Sequence, residues 1–94
     1  MNSANAVTAE RIEAALREAL RPTAIEVLDD SHLHAGHAGA KEGRHFTVHV
    51  TSQAFAGLSR VARHRLVYDA ARSLMAEGIH ALAIQARAPA EPPP

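Results

Sequence analysis

The clearest strand signal in the sequence is the stretch His45-Phe46-Thr47-Val48-His49-Val50-Thr51. Its apolar residues Phe46, Val48 and Val50 alternate with polar ones, a pattern typical of a strand with one buried and one exposed face. The stretch therefore predicts a sheet that is covered on one side only. We interpret His45 and His49, which fall on the polar side, as surface residues.

The residues before this strand predict a helix and another strand. Apolar residues recur at spacings of three and four between Thr8 and Pro22, which predicts an amphipathic helix. The Thr8 hydroxyl is suited to cap its start. Pro22 is expected to end it, because the residue before a proline is pushed out of the helical region. Ala24 to Asp29, with the β-branched residues Ile25 and Val27, predicts a strand.

The second half of the chain predicts a long helix and a last strand. Ser59 is suited to cap the helix and Gly78 to end it, and a short helical turn is expected before it at Gln53 to Phe55. His80 to Arg87 alternates as a strand does. The predicted buried stripe of the long helix is Val61, Leu66, Val67, Ala70, Ala71, Leu74 and Met75. Its predicted wet face is Arg60, Arg63, Arg65 and Arg72.

The order of these elements predicts the fold class. Helix, strand, strand, short helix, helix and strand, or αββααβ, favour an α+β domain with helices packed on one face of a three-stranded mixed sheet. The chain has 94 residues, the size of a single domain. We assign that domain to residues 8–87, with a flexible N-terminus at 1–7 and a proline-rich flexible tail at 88–94.

Composition narrows the classes of function. Ten Lys and Arg residues balance ten Asp and Glu residues, so no bulk charge draws the chain to nucleic acid or to an anionic membrane. No apolar run is long enough to cross a bilayer, and we expect no signal peptide. The absence of cysteine fits a reducing compartment, so we expect a cytoplasmic protein. No serine stands beside a base at a spacing that resembles a catalytic triad, and we expect no enzymatic activity.

The segment between the first two strands is the most unusual part of the sequence. It holds three glycines and three closely spaced histidines, His32, His34 and His37. The predicted loop runs from Asp30 to Gly43, and loops of more than about a dozen residues are usually functional or mobile. Neutral imidazole binds metal ions, and glycines allow a loop to fold around such an ion. Two interpretations stay open at this point: a metal-binding loop, or a solvated loop whose histidines bind nothing. A closed zinc site is not favoured, because such sites usually need four ligands and often thiolates.

Two further polar groups are candidates for function. His80 heads the last strand, where it either binds a ligand or only caps the preceding helix. The basic face of the long helix is Arg60, Arg63, His64 and Arg65. This face fits either a phosphate or acidic partner, or water alone. The zero net charge of the chain favours the second interpretation, a solvated face that binds no partner.

Four segments taken together resemble the BolA family. They are Asp30 to His37, His45 to Val48, Phe55 to Arg65, and Gly78 to Leu82. The last two are the most specific, and the resemblance covers the chain from Ile25 to Ala86. It implies an αββααβ fold similar to that of the type II KH domain, in agreement with the order read from periodicity.

The resemblance also implies a function. A BolA protein pairs with a monothiol glutaredoxin, and the pair holds a bridging [2Fe–2S] cluster with thiolates from the glutaredoxin and from glutathione. The family's ligand at the head of the last strand corresponds to His80. The second ligand comes from the loop between the first two strands, and this cysteine-free chain resembles the type that uses histidine there. His34 is the preferred match and His37 the alternative, and the isolated chain is expected to hold no cluster.

A second function implied by the resemblance is transcriptional regulation through DNA binding by the basic face of the long helix. The Gly-x-x-Gly loop of KH domains is not matched, since Phe55-Ala56-Gly57-Leu58-Ser59 holds one glycine. Aromatic residues that could stack on bases make up only 3% of the chain, which weakens this alternative. Whether the chain forms a homodimer stays open at this point.

Overall fold

The computed structural model describes residues 7–30 and 44–90, with the backbone alone for His80. The elements in chain order are α1 Ala9–Leu20, β1 Ala24–Asp29, β2 Arg44–Thr51, a 3₁₀ helix Gln53–Phe55, α2 Arg60–Ala70, α3 Arg72–Glu77 and β3 Ile79–Arg87. The predicted α+β class and the predicted order of strands and helices are confirmed.

β2 is the central strand of a three-stranded mixed sheet. β1 pairs with it antiparallel and β3 pairs with it parallel. Phe46, Val48 and Val50 of β2 are buried in a core that also contains residues from all three helices. His45 and His49 occupy the alternate, half-exposed positions of the strand. The alternation in β2 therefore predicted correctly which side of the strand is buried.

α1 is fixed at both ends and along one side. The Thr8 hydroxyl accepts a hydrogen bond from the backbone N–H three residues later (3.2 Å), as the sequence predicted. Ile12, Leu16 and Leu20 form the buried stripe. Burying each such side chain is worth about 2 kcal/mol. The helix ends at Leu20, because Arg21, the residue before Pro22, takes the left-handed conformation with φ 48.

The long helix predicted between Ser59 and Gly78 is in fact two helices. The predicted Ser59 cap is confirmed, since its hydroxyl accepts from the Ala62 N–H at 3.1 Å. Ala71 then has φ −103 and ψ 15, outside helical values, and separates α2 from α3. Alanine is the best helix former, so its intrinsic propensity argues against a break at this residue, and tertiary packing overrides it.

The predicted buried stripe of this region is correct for Val67, Ala71 and Leu74 and wrong for Val61. The first three are buried, whereas Val61 is 60% exposed. Val61 lies in the first turn of α2, and Val67 is the buried residue of that helix. The helix therefore begins outside the core and reaches it only in its second half.

A short turn after β2 carries the chain back over the sheet, and the predicted helical piece at Gln53–Phe55 is confirmed. Ser52 is 1% exposed, and its hydroxyl donates to the Leu20 carbonyl oxygen at 2.6 Å. Phe55 is fully buried beneath the turn. Gly57 has φ 76, which is the left-handed backbone that glycine adopts without strain.

The core extends one residue beyond each limit of the predicted domain 8–87, to two residues that were assigned to the flexible ends. Val7 is 3% exposed and Ala88 is 6% exposed, so both are buried. Residues 1–6 and 91–94, which carry most of the predicted flexible ends, lie outside the described residues.

Candidate functional site

The predicted metal ligands fall largely outside the described residues. His34 and His37 belong to segment 31–43, which is not described, and His80 is described by its backbone only. The ligand assignments therefore stay predictions. The described geometry concerns the residues that border these three histidines.

Both ends of segment 31–43 are hydrogen-bonded at the end of the sheet where β3 starts. The Asp30 N–H donates to the His45 carbonyl oxygen at 2.8 Å, which joins the end of β1 to the start of β2. The Arg44 N–H donates to the Gly78 carbonyl oxygen at 3.0 Å, which joins the start of β2 to the residues that lead into β3. His80 follows Gly78 by two positions. The backbone therefore brings the segment that carries His34 and His37 to the same end of the sheet as His80.

The sheet has two ends, a loop end and a turn end. The loop end consists of Asp29, Asp30, Arg44, His45 and Gly78 to Ala81. The turn end consists of Leu20, Ala24, Thr51, Ser52, Phe55 and Arg87.

The parallel pairing of β2 and β3 is irregular at the loop end. Arg44 lies opposite Ile79, whereas His45 lies opposite Ala81, so the register skips His80. His80 thus has no partner in the β2 register, as the extra residue of a β-bulge would. Bulges bend the strand locally and are over-represented next to functional sites. The one predicted ligand whose backbone is described lies at the one register shift between these two strands.

Polar contacts hold the border of segment 31–43 together. Arg44 Nη2 lies 2.5 Å from Asp29 Oδ2, and the Arg44 guanidinium sits 5.6 Å from the centre of the Phe46 ring. The Thr47 hydroxyl donates to Asp30 Oδ2. The Arg44 and Asp29 side chains are 40% and 37% exposed, so this ion pair is worth at most about 1 kcal/mol. Sequence reasoning did not single out this pair, since its two residues are separated by the long loop.

A second ion pair fixes the chain directly before β3. Arg11 in the first turn of α1 binds Glu77 through both guanidinium nitrogens, at 3.0 and 3.4 Å. Glu77 is the last residue of α3, and Gly78 after it has φ 142, a backbone that residues with a side chain rarely adopt. The start of β3 is therefore positioned both by α1 and by the turn at Gly78.

Within residues 7–30 and 44–90, no group of three or more His, Asp or Glu side chains is arranged to hold a metal ion. His45 and His49 lie on the half-exposed side of β2 and belong to no such group. Their interpretation as surface residues agrees with this placement.

The basic face of the long helix is smaller than predicted. Arg60 and Arg65 are exposed and His64 is half-buried. Arg63 was predicted to lie on the wet face, and this is wrong: it is half-buried, and its guanidinium donates to the carbonyl oxygens of Leu58 at 3.0 Å and Ala86 at 3.2 Å. The long arginine stem crosses to the β3 edge, which helical periodicity cannot show.

The fold and the described contacts define a class of protein: a small α+β domain in which three helices cover one face of a three-stranded mixed sheet. The family model for BolA-like proteins matches residues 16–91. The chain therefore belongs to the BolA-like family.

Comparisons with individual proteins support this assignment. A Sinorhizobium protein described as an uncharacterized protein in the cobS 5′ region is 45% identical over 86 residues, which are 88% of this chain and 92% of that protein. The solved BolA domain of SufE1 from Arabidopsis thaliana is 45% identical with a TM-score of 0.78, over 89% of this chain and 94% of that domain.

The full-length SufE-like protein 1 of Arabidopsis thaliana, chloroplastic/mitochondrial, is 44% identical over 87 residues. These are 86% of this chain but only 24% of the relative, so the chain spans about a quarter of that protein's length. Among the described helices, none combines the length and the apolar character needed to cross a membrane.

Proposed function

We propose that this chain is a non-catalytic adaptor that pairs with a monothiol glutaredoxin around a bridging [2Fe–2S] cluster, in cluster trafficking or iron sensing. One observation carries the proposal: both ends of segment 31–43 are hydrogen-bonded at the end of the sheet where β3 starts, one to β2 and the other to Gly78, and the β2–β3 register skips His80 there. The residues that flank segment 31–43, which carries His34 and His37, therefore lie at the same end of the sheet as His80.

The chemistry of these residues fits one half of such a cluster. Imidazoles replace thiolates on one iron of some [2Fe–2S] centres and raise the reduction potential. The chain has no cysteine and would supply two imidazoles, so the other iron needs thiolates from a partner and from glutathione. A cluster shared in this way depends on both proteins, which suits a carrier or sensor.

The comparisons support a general link of this kind. Membership of the BolA-like family agrees with an adaptor, and the name of the SufE-like relative fits iron–sulfur chemistry. We carry the partner, the cluster and a cytoplasmic location over to this chain as parts of the proposal.

The decisive experiment is reconstitution with a monothiol glutaredoxin and glutathione, followed by visible absorption and circular dichroism of the cluster. His80→Ala is expected to change the visible dichroism and to shorten the lifetime of the cluster. His49→Ala removes a histidine from the middle of the same sheet and is the matched control. His34→Ala and His37→Ala, compared side by side, identify the loop ligand. An unchanged spectrum and lifetime for His80→Ala would show that the ligand assignment is wrong.

DNA binding is the second candidate, because Arg60 and Arg65 are exposed on α2. Arg63 is engaged with backbone carbonyls, which leaves two arginines for phosphate contacts. Two such contacts give a slope of about −2 for log affinity against log salt. A titration of duplex DNA at increasing salt measures this slope, and undetectable affinity near physiological salt would remove this candidate.

A further inference from the structure

β3 is an edge strand of the described sheet, because the strand order is β1-β2-β3. The backbone polar groups of a strand point alternately to its two sides. The Arg87 carbonyl oxygen accepts from the N–H of Ser52, the residue that follows β2, so it points toward β2. By alternation, the carbonyls of Leu82, Ile84 and Ala86 point outward, away from the sheet. Exposed edges of this kind are templates for pairing with another strand.

Two side chains of α2 occupy this edge. The Tyr68 hydroxyl donates to the Leu82 carbonyl oxygen at 3.2 Å. Arg63 Nη1 donates to the Ala86 carbonyl oxygen at 3.2 Å, while its Nε is held by the Leu58 carbonyl oxygen. The two covered carbonyls lie on either side of Ile84. Tyr68 is 39% exposed, so the helix presents a large, partly apolar side chain to this edge rather than to the core.

The covered positions are those that a second copy would need. If β3 paired antiparallel with β3 of a second chain about a two-fold axis at Ile84, Leu82 would lie opposite the second copy's Ala86, and Ala86 opposite its Leu82. Each of these outward carbonyls would then accept a hydrogen bond from the backbone N–H across the axis. The same self-complementary pairing would join two sheets into one continuous sheet of six strands.

We propose that Tyr68 and Arg63 are edge covers that hold β3 closed against a second copy of this chain. Uncovered, the β3 edge is a homodimer interface with antiparallel pairing centred on Ile84. The proposal concerns the edge of β3 that faces away from β2, and it does not depend on the proposed cluster or on the glutaredoxin. It also gives Arg63 a role other than the phosphate contact considered for the basic face.

The test compares the molecular mass in solution of the full chain and of a variant without either cover, by analytical ultracentrifugation over a wide range of concentration. The original chain is expected to sediment as a monomer. Tyr68→Phe combined with Arg63→Met is expected to shift toward twice that mass as concentration rises. In the dimer, the backbone amides of Leu82, Ile84 and Ala86 are expected to exchange with solvent at least tenfold more slowly than in the monomer.

Three controls keep the result specific. Arg60→Met together with Arg65→Met removes two exposed charges from the same helix and is expected to leave the chain monomeric. Tyr68→Phe with Arg63→Lys tests the edge with a milder change, should the first variant fold poorly. Adding Ala86→Pro to an associating variant removes one outward N–H and is expected to restore the monomer, since proline is tolerated on the open side of an edge strand. Folded cover variants that stay monomeric would overturn the proposal, as would association that survives Ala86→Pro.

Discussion

The two ends of the sheet are held by different kinds of interaction. At the turn end, Ser52 is 1% exposed and its hydroxyl joins the end of α1 to the end of β2, above a fully buried Phe55. At the loop end and directly before β3, the ties are ion pairs whose four side chains are each 35% to 40% exposed. Buried contacts of the first kind are worth several kcal/mol, whereas exposed ion pairs contribute at most about 1 kcal/mol each.

This difference indicates which end of the sheet can open locally without unfolding of the whole domain. Regions with few buried contacts open at a lower free energy than the core, and binding segments are drawn from them. The exposed ion pairs of the loop end contribute little to stability, and the proposed ligands are carried at the same end of the sheet.

The largest expected effect is that of Phe55→Ala at the turn end. Removing a fully buried ring from a core costs about 3–5 kcal/mol, because the apolar transfer free energy is lost and a cavity remains. Urea unfolding followed by far-ultraviolet circular dichroism measures the free energy of unfolding. Val61→Ala, at a position 60% exposed, is the control and is expected to change it by less than about 0.5 kcal/mol. If Phe55→Ala lowers the free energy of unfolding by less than about 1 kcal/mol, the turn end is not the more stable end of the sheet.

An intermediate effect is expected for Ser52→Ala. The change leaves the buried Leu20 carbonyl oxygen without its donor, which costs about 1–3 kcal/mol. Ser59→Ala is the matched control, since it removes an exposed helix cap worth about 1 kcal/mol. Urea unfolding of both variants shows whether burial makes the difference. Equal losses would mean that the hydroxyl of Ser52 acts only as a local cap for the 3₁₀ helix.

Features that are set within a few residues of chain were predicted better from the sequence than contacts between distant residues, for physical reasons. Caps such as Thr8 and Ser59, the stop at Pro22 and the alternation in β2 are set within a few residues of chain, so local patterns reveal them. The family resemblance, carried by the segments from Asp30 to Leu82, was confirmed by comparison with known proteins.

Contacts between residues distant in sequence could not be read from such patterns. The Arg11–Glu77 pair joins residues 66 positions apart, and Arg63 reaches a strand 23 positions away. The exposure of Val61 and the break at Ala71 depend on where α2 meets the core, which helical periodicity does not specify. The register shift at His80 depends on how β2 and β3 pair, and no residue type near it predicts the shift.

The smallest expected effect on the free energy of unfolding is at the loop end. Its measurement tests directly whether the two ends of the sheet differ in stability. Arg44→Gln and Asp29→Asn each remove one charge of the ion pair, and we expect each to lower the free energy of unfolding by less than about 1 kcal/mol. A double-mutant cycle isolates the coupling between them, expected near 0.5 kcal/mol and smaller at high salt, because solvent and ions screen exposed charges. The side chain of Arg44 also lies over the Phe46 ring, so Arg44→Lys serves as the control that keeps the charge but changes the geometry. A coupling above about 2 kcal/mol would lie outside the range of exposed pairs. The loop end would then be as firmly fixed as the turn end.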